Sequence, residues 1–219
     1  MLRSHWPQML LLAGFTAIFI GYLTVWLPGP AAGLTLIGVE MGEWIKFMGM
    51  GPGRNWFYLP PITLALMLAV WTVGWPNGRW QTWAMRAIAV AISLLSFPAL
   101  EDLTGQVSHE YTPRLWAIGL VGVVAGVSGM PGRWPGAIRL KWVVIALLAV
   151  VGNILPLWVY GQARTAVSEV VGLPVGIGPG VWLNGFGGAA AILAALKQFF
   201  DSKIKLEVTT QAHEKKFNF

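Results

Sequence analysis

Asp102, His109 and Glu110 stand close together between two apolar runs, with Glu101 beside them. Carboxylates and imidazoles are ligands a divalent metal accepts, and the same groups hold and pass protons. Their spacing matches no tight pattern such as H-E-x-x-H, which sets two imidazoles on one helix face. The segment is therefore expected to be a solvated loop, and Asp102, His109 and Glu110 are the candidate metal set within it. Serine chemistry has less to draw on. Ser93, Ser96 and Ser128 have no histidine at a matching depth and no G-x-S-x-G occurs, so these hydroxyls are expected to bond to neighbouring helices. The three histidines, His5, His109 and His213, all fall outside the apolar runs, which leaves no axial ligand for a haem or chlorophyll at mid-bilayer. The absence of cysteine removes disulfides and thiolate metal sites. The stretch GLPVGIGPG, residues 172–180, has the glycines of a phosphate loop without its lysine and hydroxyl. No cofactor is expected, and no catalytic constellation.

Two amides, Asn153 and Asn184, are the most polar groups inside apolar runs. Buried in a bundle, they either pair across helices or line a small polar pocket; pairing is the expectation, and the pocket is the alternative. No carboxylate occupies the central part of an apolar run, so nothing is placed to relay protons or couple to sodium.

The elements that carry these groups follow from composition. The chain has 219 residues, 56% of them hydrophobic and only 11% charged, with a mean hydropathy of +0.63. A soluble domain of this size carries about 25% charged residues, and this chain has too few to cover itself in water. A bilayer core about 30 Å thick takes about 20 apolar residues per helix. Six runs qualify, at about 9–27, 57–74, 84–100, 115–130, 142–160 and 181–200. The fourth is the shortest and is rich in glycine. Arg86 and Lys197 lie at run ends, where their stems can reach the headgroup region. The first run is expected to stay attached as a span, being longer than a signal peptide's apolar region and lacking a small-residue cleavage site.

The loops give an independent test. With the N-terminus inside the cell, the inner segments hold Arg3, Arg79, Arg86, Arg133, Arg139, Lys141, Lys197, Lys203, Lys205, Lys215 and Lys216, and the outer segments only Lys46, Arg54, Arg114 and Arg164. That asymmetry is the one cytoplasmic loops show. Twelve of the thirteen tryptophans fall at predicted boundaries and Trp71 alone falls well inside a run. Prolines 28, 30, 60, 61, 98, 156, 174 and 179 mark outer helix ends, where they stop or kink a helix. The expected fold is all-α: a six-span transmembrane bundle, N-in and C-in, over residues 1–200, with a cytoplasmic tail at 201–219.

Between the first two runs, Ile37, Met41, Trp44, Ile45 and Met48 recur on one helical stripe, with Glu40, Glu43 and Lys46 off it and glycines at 49, 51 and 53 ending it. This predicts an outer interfacial helix over about 35–49, apolar face toward the bundle and carboxylates toward water. Gly122-x-x-x-Gly126 and Gly185-x-x-x-Ala189 have the spacing that lets helices approach closely, and both are read as packing faces.

GIGPGVWLNGFGGAAAILAAL, preceded by LPLWVYGQARTAVSEVVGLPV, resembles a pattern in uncharacterised polytopic bacterial inner-membrane proteins, where a glycine-rich turn with an aromatic-Leu pair opens the final span. GVEMGEWIKF with FYLPP is similar to segments of the same proteins. The resemblance covers about a third of the chain and implies a bacterial inner-membrane location, with no activity attached. The expected function is a non-catalytic subunit or assembly component of a membrane complex, with a protein partner or a second copy as its contact. The alternatives are a small-solute or lipid transporter with a pocket near Asn153 and Asn184, and an outer-surface enzyme using Glu101, Asp102, His109 and Glu110. Eleven inner cations in short segments, without a groove or an aromatic platform, point to anionic lipid headgroups and not to nucleic acid.

Overall fold

The computed structural model describes residues 5–29, 35–45, 51–100, 103, 108–129 and 135–217, and side chains for all of these except 51–52, 108, 135 and 203–217. The protein is all-α, with seven α-helices and one short two-stranded ladder among the described residues. In chain order these are α1 (Trp6–Tyr22), β1 (Val25–Leu27), β2 (Leu36–Ile37), α2 (Gly38–Trp44), a 3-10 helix (Gly51–Tyr58), α3 (Leu59–Trp71), α4 (Trp80–Ser93) with a 3-10 turn at Leu94–Ser96, a 3-10 turn at Ser108–Tyr111, α5 (Thr112–Val127), α6 (Pro135–Val171) and α7 (Pro179–Phe217).

Each of the six apolar runs lies on a helix, but the helices and the runs end in different places. α6 and α7 are long and apolar enough to cross a membrane; α1 is apolar but has only 17 residues, and α3, α4 and α5 have 13, 14 and 16. α6 exceeds its run at both ends because Arg139, Lys141, Gln162 and Arg164 lower hydropathy without lowering helix propensity. It stops at Gly172, whose positive φ of 71° suits a residue without a Cβ and whose N–H closes the last turn on the Ser168 carbonyl. Pro156, expected at a helix end, is buried inside α6, where its ring withholds a hydrogen bond from the Gly152 carbonyl. α7 continues through the polar tail as helix to Phe217.

α3 sits at the centre. Nearly every one of its residues is buried, and it packs on α1, α4, α5 and α6. A helix apolar on all sides belongs in this position. α1 lies along α7, which lies along α6. The α1–α7 contact is made by glycines seven residues apart on each helix. A Cβ at Gly14 would stand 2.8 Å from the Gly187 carbonyl oxygen, and one at Gly21 would stand 2.8 Å from the Asn184 nitrogen and 2.9 Å from the Gly180 carbonyl oxygen. Of the predicted packing positions, the two on α5 face no other helix among the described residues. Gly122 and Gly126 lie on the exposed face of α5 with nothing within 4 Å of an added Cβ, Gly185 is in ordinary contact with Leu157, and Ala189 is exposed.

A cap closes one end. β1 pairs antiparallel with β2, and the Trp26 carbonyl accepts from the Gly178 N–H (2.9 Å) and from Tyr160 Oη (2.9 Å), which ties the α6–α7 connection to the ladder. Trp26, expected at a water boundary, is fully buried edge-on to Phe57 and Tyr160, with its indole N–H on the Gly21 carbonyl at 2.8 Å.

The interfacial helix is shorter than predicted. Ile37 belongs to β2, α2 spans only 38–44, and Met48 lies outside the described residues. Met41 and Ile45 are buried against the bundle, whereas Trp44 is half-exposed and Ile37 partly exposed.

Candidate functional site

The densest polar centre lies beneath α2 in this cap and is assembled from five separate elements. α2 contributes Glu43, the 3-10 helix at 51–58 contributes Arg54 and Tyr58, the turn after α4 contributes Ser96, the turn at 108–111 contributes Glu110 and Tyr111, and the first turn of α5 contributes Arg114. Arg114 is almost fully buried. Its Nε donates to the Ser96 carbonyl (3.2 Å), its Nη1 to Glu43 Oε1 (3.3 Å), and its guanidinium lies 3.3 Å from the centroid of the Tyr58 ring. Tyr58 Oη donates to the same Glu43 oxygen at 2.5 Å, and Ser96 Oγ donates to the Tyr58 carbonyl at 3.2 Å. Arg54 pairs with Glu110 and stands over the Tyr111 ring at 5.5 Å. Each arginine therefore meets one carboxylate and at least one aromatic face, the combination that makes a desolvated guanidinium tolerable.

This arrangement corrects the expectation that the α2 carboxylates face water. Glu40 does stay exposed, and its Oε2 accepts from the Ile37 N–H at 3.0 Å, half of a capping box. Glu43 instead turns inward to Tyr58 and Arg114. Gly42 makes the approach possible, since a Cβ there would fall on the Tyr58 ring at 2.5 Å.

Of the candidate metal set, Glu110 is held by Arg54, His109 is exposed, and Asp102, like Glu101, lies outside the described residues. Among the described residues no three His, Cys, Asp or Glu side chains gather as a metal site would require. Ser96 and Ser128 bond across elements, Ser128 Oγ lying 3.0 Å from Thr72 Oγ1, whereas Ser93 bonds to the Val90 carbonyl of its own helix.

Asn153 and Asn184 come together as a pair across two helices. Asn184 Nδ2 donates to Asn153 Oδ1 (3.1 Å), and Asn153 Nδ2 donates to the Ala149 carbonyl (2.7 Å). Both are buried, and Gly188 presses on the Asn153 amide so closely that a Cβ there would overlap it. The pair is packed between α6 and α7 and not displayed in a pocket.

A second polar centre, which the sequence reading missed, lies at the other end of the bundle. Arg86, expected to reach outward from a helix end, is buried; its Nε donates to Thr72 Oγ1 (3.2 Å) and its Nη2 to Asn77 Oδ1 (3.1 Å). Lys141 Nζ donates to the Val73 carbonyl at 2.9 Å. The available signal was the number of hydrogen-bonding residues in and just after the α3–α4 turn, Thr72, Asn77 and Thr82, facing an arginine one helical turn beyond.

The chemistry of the capped end is that of a clasp: paired charges, shared hydroxyls and aromatic faces that fix five elements to one another. Comparison of the chain with protein-family models, with curated proteins and with solved structures finds no match.

Proposed function

We propose that this is a multi-pass protein of the bacterial inner membrane, crossing it six times with both ends in the cytoplasm, and that it serves as a non-catalytic structural component of a membrane complex. The observation that carries the membrane reading is the inverted distribution of polarity. Arg86, Arg114, Asn153, Asn184, Thr63, Thr72 and Ser128 are buried, while Val143, Leu147, Val151, Ile154 and Trp158 form an exposed stripe along α6. Only 39% and 44% of the apolar windows of α6 and α7 are buried, whereas the core helix of a soluble protein is mostly covered. Lipid is the solvent that favours such a surface.

The short helices fit this reading. α3 alone reaches about 20 Å, the 3-10 helix before it lying in the cap. α1, α5 and α4 with its 3-10 turn reach about 24–27 Å, a shortfall that local thinning and boundary tryptophans accommodate.

The component reading rests on α5. Gly119, Gly122 and Gly126 are exposed, and among the described residues nothing beyond their own helix turn lies within 4 Å of an added Cβ, so the close-approach face predicted there is open to a helix of another chain. Trp116, Leu120 and Val123 flank it, also exposed. Purification in a gentle detergent followed by native mass measurement tests this. A stoichiometric partner or a second copy is expected, lost in Gly122→Leu/Gly126→Leu with the chain's own thermal stability unchanged. A monomer that runs alone, indifferent to those substitutions, contradicts it.

A further inference from the structure

The two ends of the bundle treat their buried cations differently. At the capped end Arg54 and Arg114 each have a glutamate. At the other end Arg79, Arg86, Arg139 and Lys141 surround the α3–α4 turn and none is paired with a carboxylate among the described residues. Their partners are neutral or absent. Arg86 is held by Thr72 and Asn77 and lies over the Trp83 ring at 5.0 Å; Lys141 is held by the Val73 carbonyl; Arg139 lies over Phe199 at 5.4 Å with its Nε buried and unbonded. Ile138, beside Arg139, is the side chain that a Cβ added at Gly74 of the same turn would meet, at 3.9 Å. Arg79 borders a cavity of about 270 Å³ lined also by Gly74, Trp75, Pro76, Gln81 and Thr82.

Neutral oxygens orient a cation but leave its charge uncompensated, and several like charges around one turn repel one another in a poorly screened setting. The turn itself is built tightly: Gly74 has a φ of 84°, Asn77 Nδ2 donates to the Gly129 carbonyl (2.7 Å), and Thr82 Oγ1 donates to the Pro76 carbonyl (2.9 Å). The cations are thus set around a fixed concavity. Among the described residues no carboxylate is bonded to any of these four cations.

The geometry points to a binding site for the phosphate of an anionic phospholipid, seated in the cavity at Trp75–Thr82 with Arg79 as its direct contact and Arg86, Arg139 and Lys141 supplying the surrounding positive field. This rests on the membrane reading above. A lipid is chosen over free phosphate because the cavity wall is largely apolar and Trp80 and Trp83, next in sequence to its lining residues, are exposed, as are Ile88 on α4 and Leu94 in the turn after it, a surface on which an acyl chain can lie.

The full chain in detergent is offered dioleoyl phosphatidylglycerol, phosphatidylcholine with the same chains, or inorganic phosphate, and read by native mass and by thermal shift. Retention of phosphatidylglycerol at about fivefold or more over phosphatidylcholine is expected, with Arg79→Gln losing about that factor and Arg164→Gln at the far end keeping it. Arg79 is exposed and bonds in the turn only through its backbone among the described residues, so the variant is expected to fold. Equal retention of the two lipids, equal behaviour of the two variants, or an equal shift with inorganic phosphate overturns the inference. A chain that needs detergent yet ignores the headgroup ends only this proposal; a chain recovered from water without detergent ends the membrane reading itself.

Discussion

Arg114 shows what a single residue contributes to the cap. Its side chain is 5% exposed while that of Glu43 is 37% exposed, so the two ends of the pair are desolvated unequally. Removing the arginine strips Glu43 of one of its partners, leaves the Ser96 carbonyl without its donor, and takes the cation from the Tyr58 face. Breaking a buried pair costs about 3–5 kcal/mol, and the partial exposure of Glu43 brings the expectation for Arg114→Gln to about 2 kcal/mol. Glu43→Gln keeps an acceptor for Tyr58 and is expected to lose stability too, with a double variant less destabilised than the sum, measured by thermal unfolding in detergent as a double-mutant cycle. Additive losses would show that the two side chains are not coupled. The pair was not legible in the sequence because its partners are 71 positions apart, on elements that meet only once α3 has folded between them. Asn153 and Asn184 were legible because an amide inside an apolar run has few ways to be satisfied other than by another polar group in the bundle.

At the scale of elements, glycine spacing decides how α1 meets α7. Gly14 and Gly21 on one helix face Gly187 and Gly180 on the other, antiparallel, at the seven-residue interval that keeps one seam aligned on both. A methyl at Gly187 would stand 2.7 Å from the Gly14 carbonyl oxygen, backbone that cannot rotate away. Gly187→Ala is therefore expected to destabilise by about 1–3 kcal/mol, whereas Gly122→Ala, with open space around it, leaves the isolated chain unchanged or slightly firmer. Equal melting temperatures for the two variants would contradict the assigned seam. A search for small residues four apart within one helix overlooks this seam, since its pattern exists only when two distant helices are read against each other. Helix positions were readable from apolar runs and helix ends were not, because arginine, lysine and glutamine continue a helix as readily as leucine does. α2 shows the opposite error: a stripe over 37–48 ignored the strand register of Leu36 and Ile37 against β1.

At the scale of the whole molecule, the long apolar helices α6 and α7 leave more than half of their apolar windows uncovered, a surface that water does not favour. Polar groups are buried beside an apolar core while apolar stripes face outward, and under the proposed reading the charge asymmetry of the loops assigns one end to the cytoplasm. The sequence made the apolar runs and the loop charges visible together; it could not show that Arg54 and Arg114 are paired with glutamates within the chain while Arg86 and Lys141 are held by neutral oxygens. Because the chain contains no cysteine, single cysteines placed by mutation report their own positions. The most direct test labels His109→Cys, in the turn before α5, and Gly78→Cys, in the α3–α4 turn, with a membrane-impermeant maleimide in intact and in permeabilised cells. Labelling of the first in intact cells, and of the second only after permeabilisation, is the predicted result. Labelling of both positions from the same side, or of Gly78→Cys alone in intact cells, would contradict the six-span, N-in arrangement.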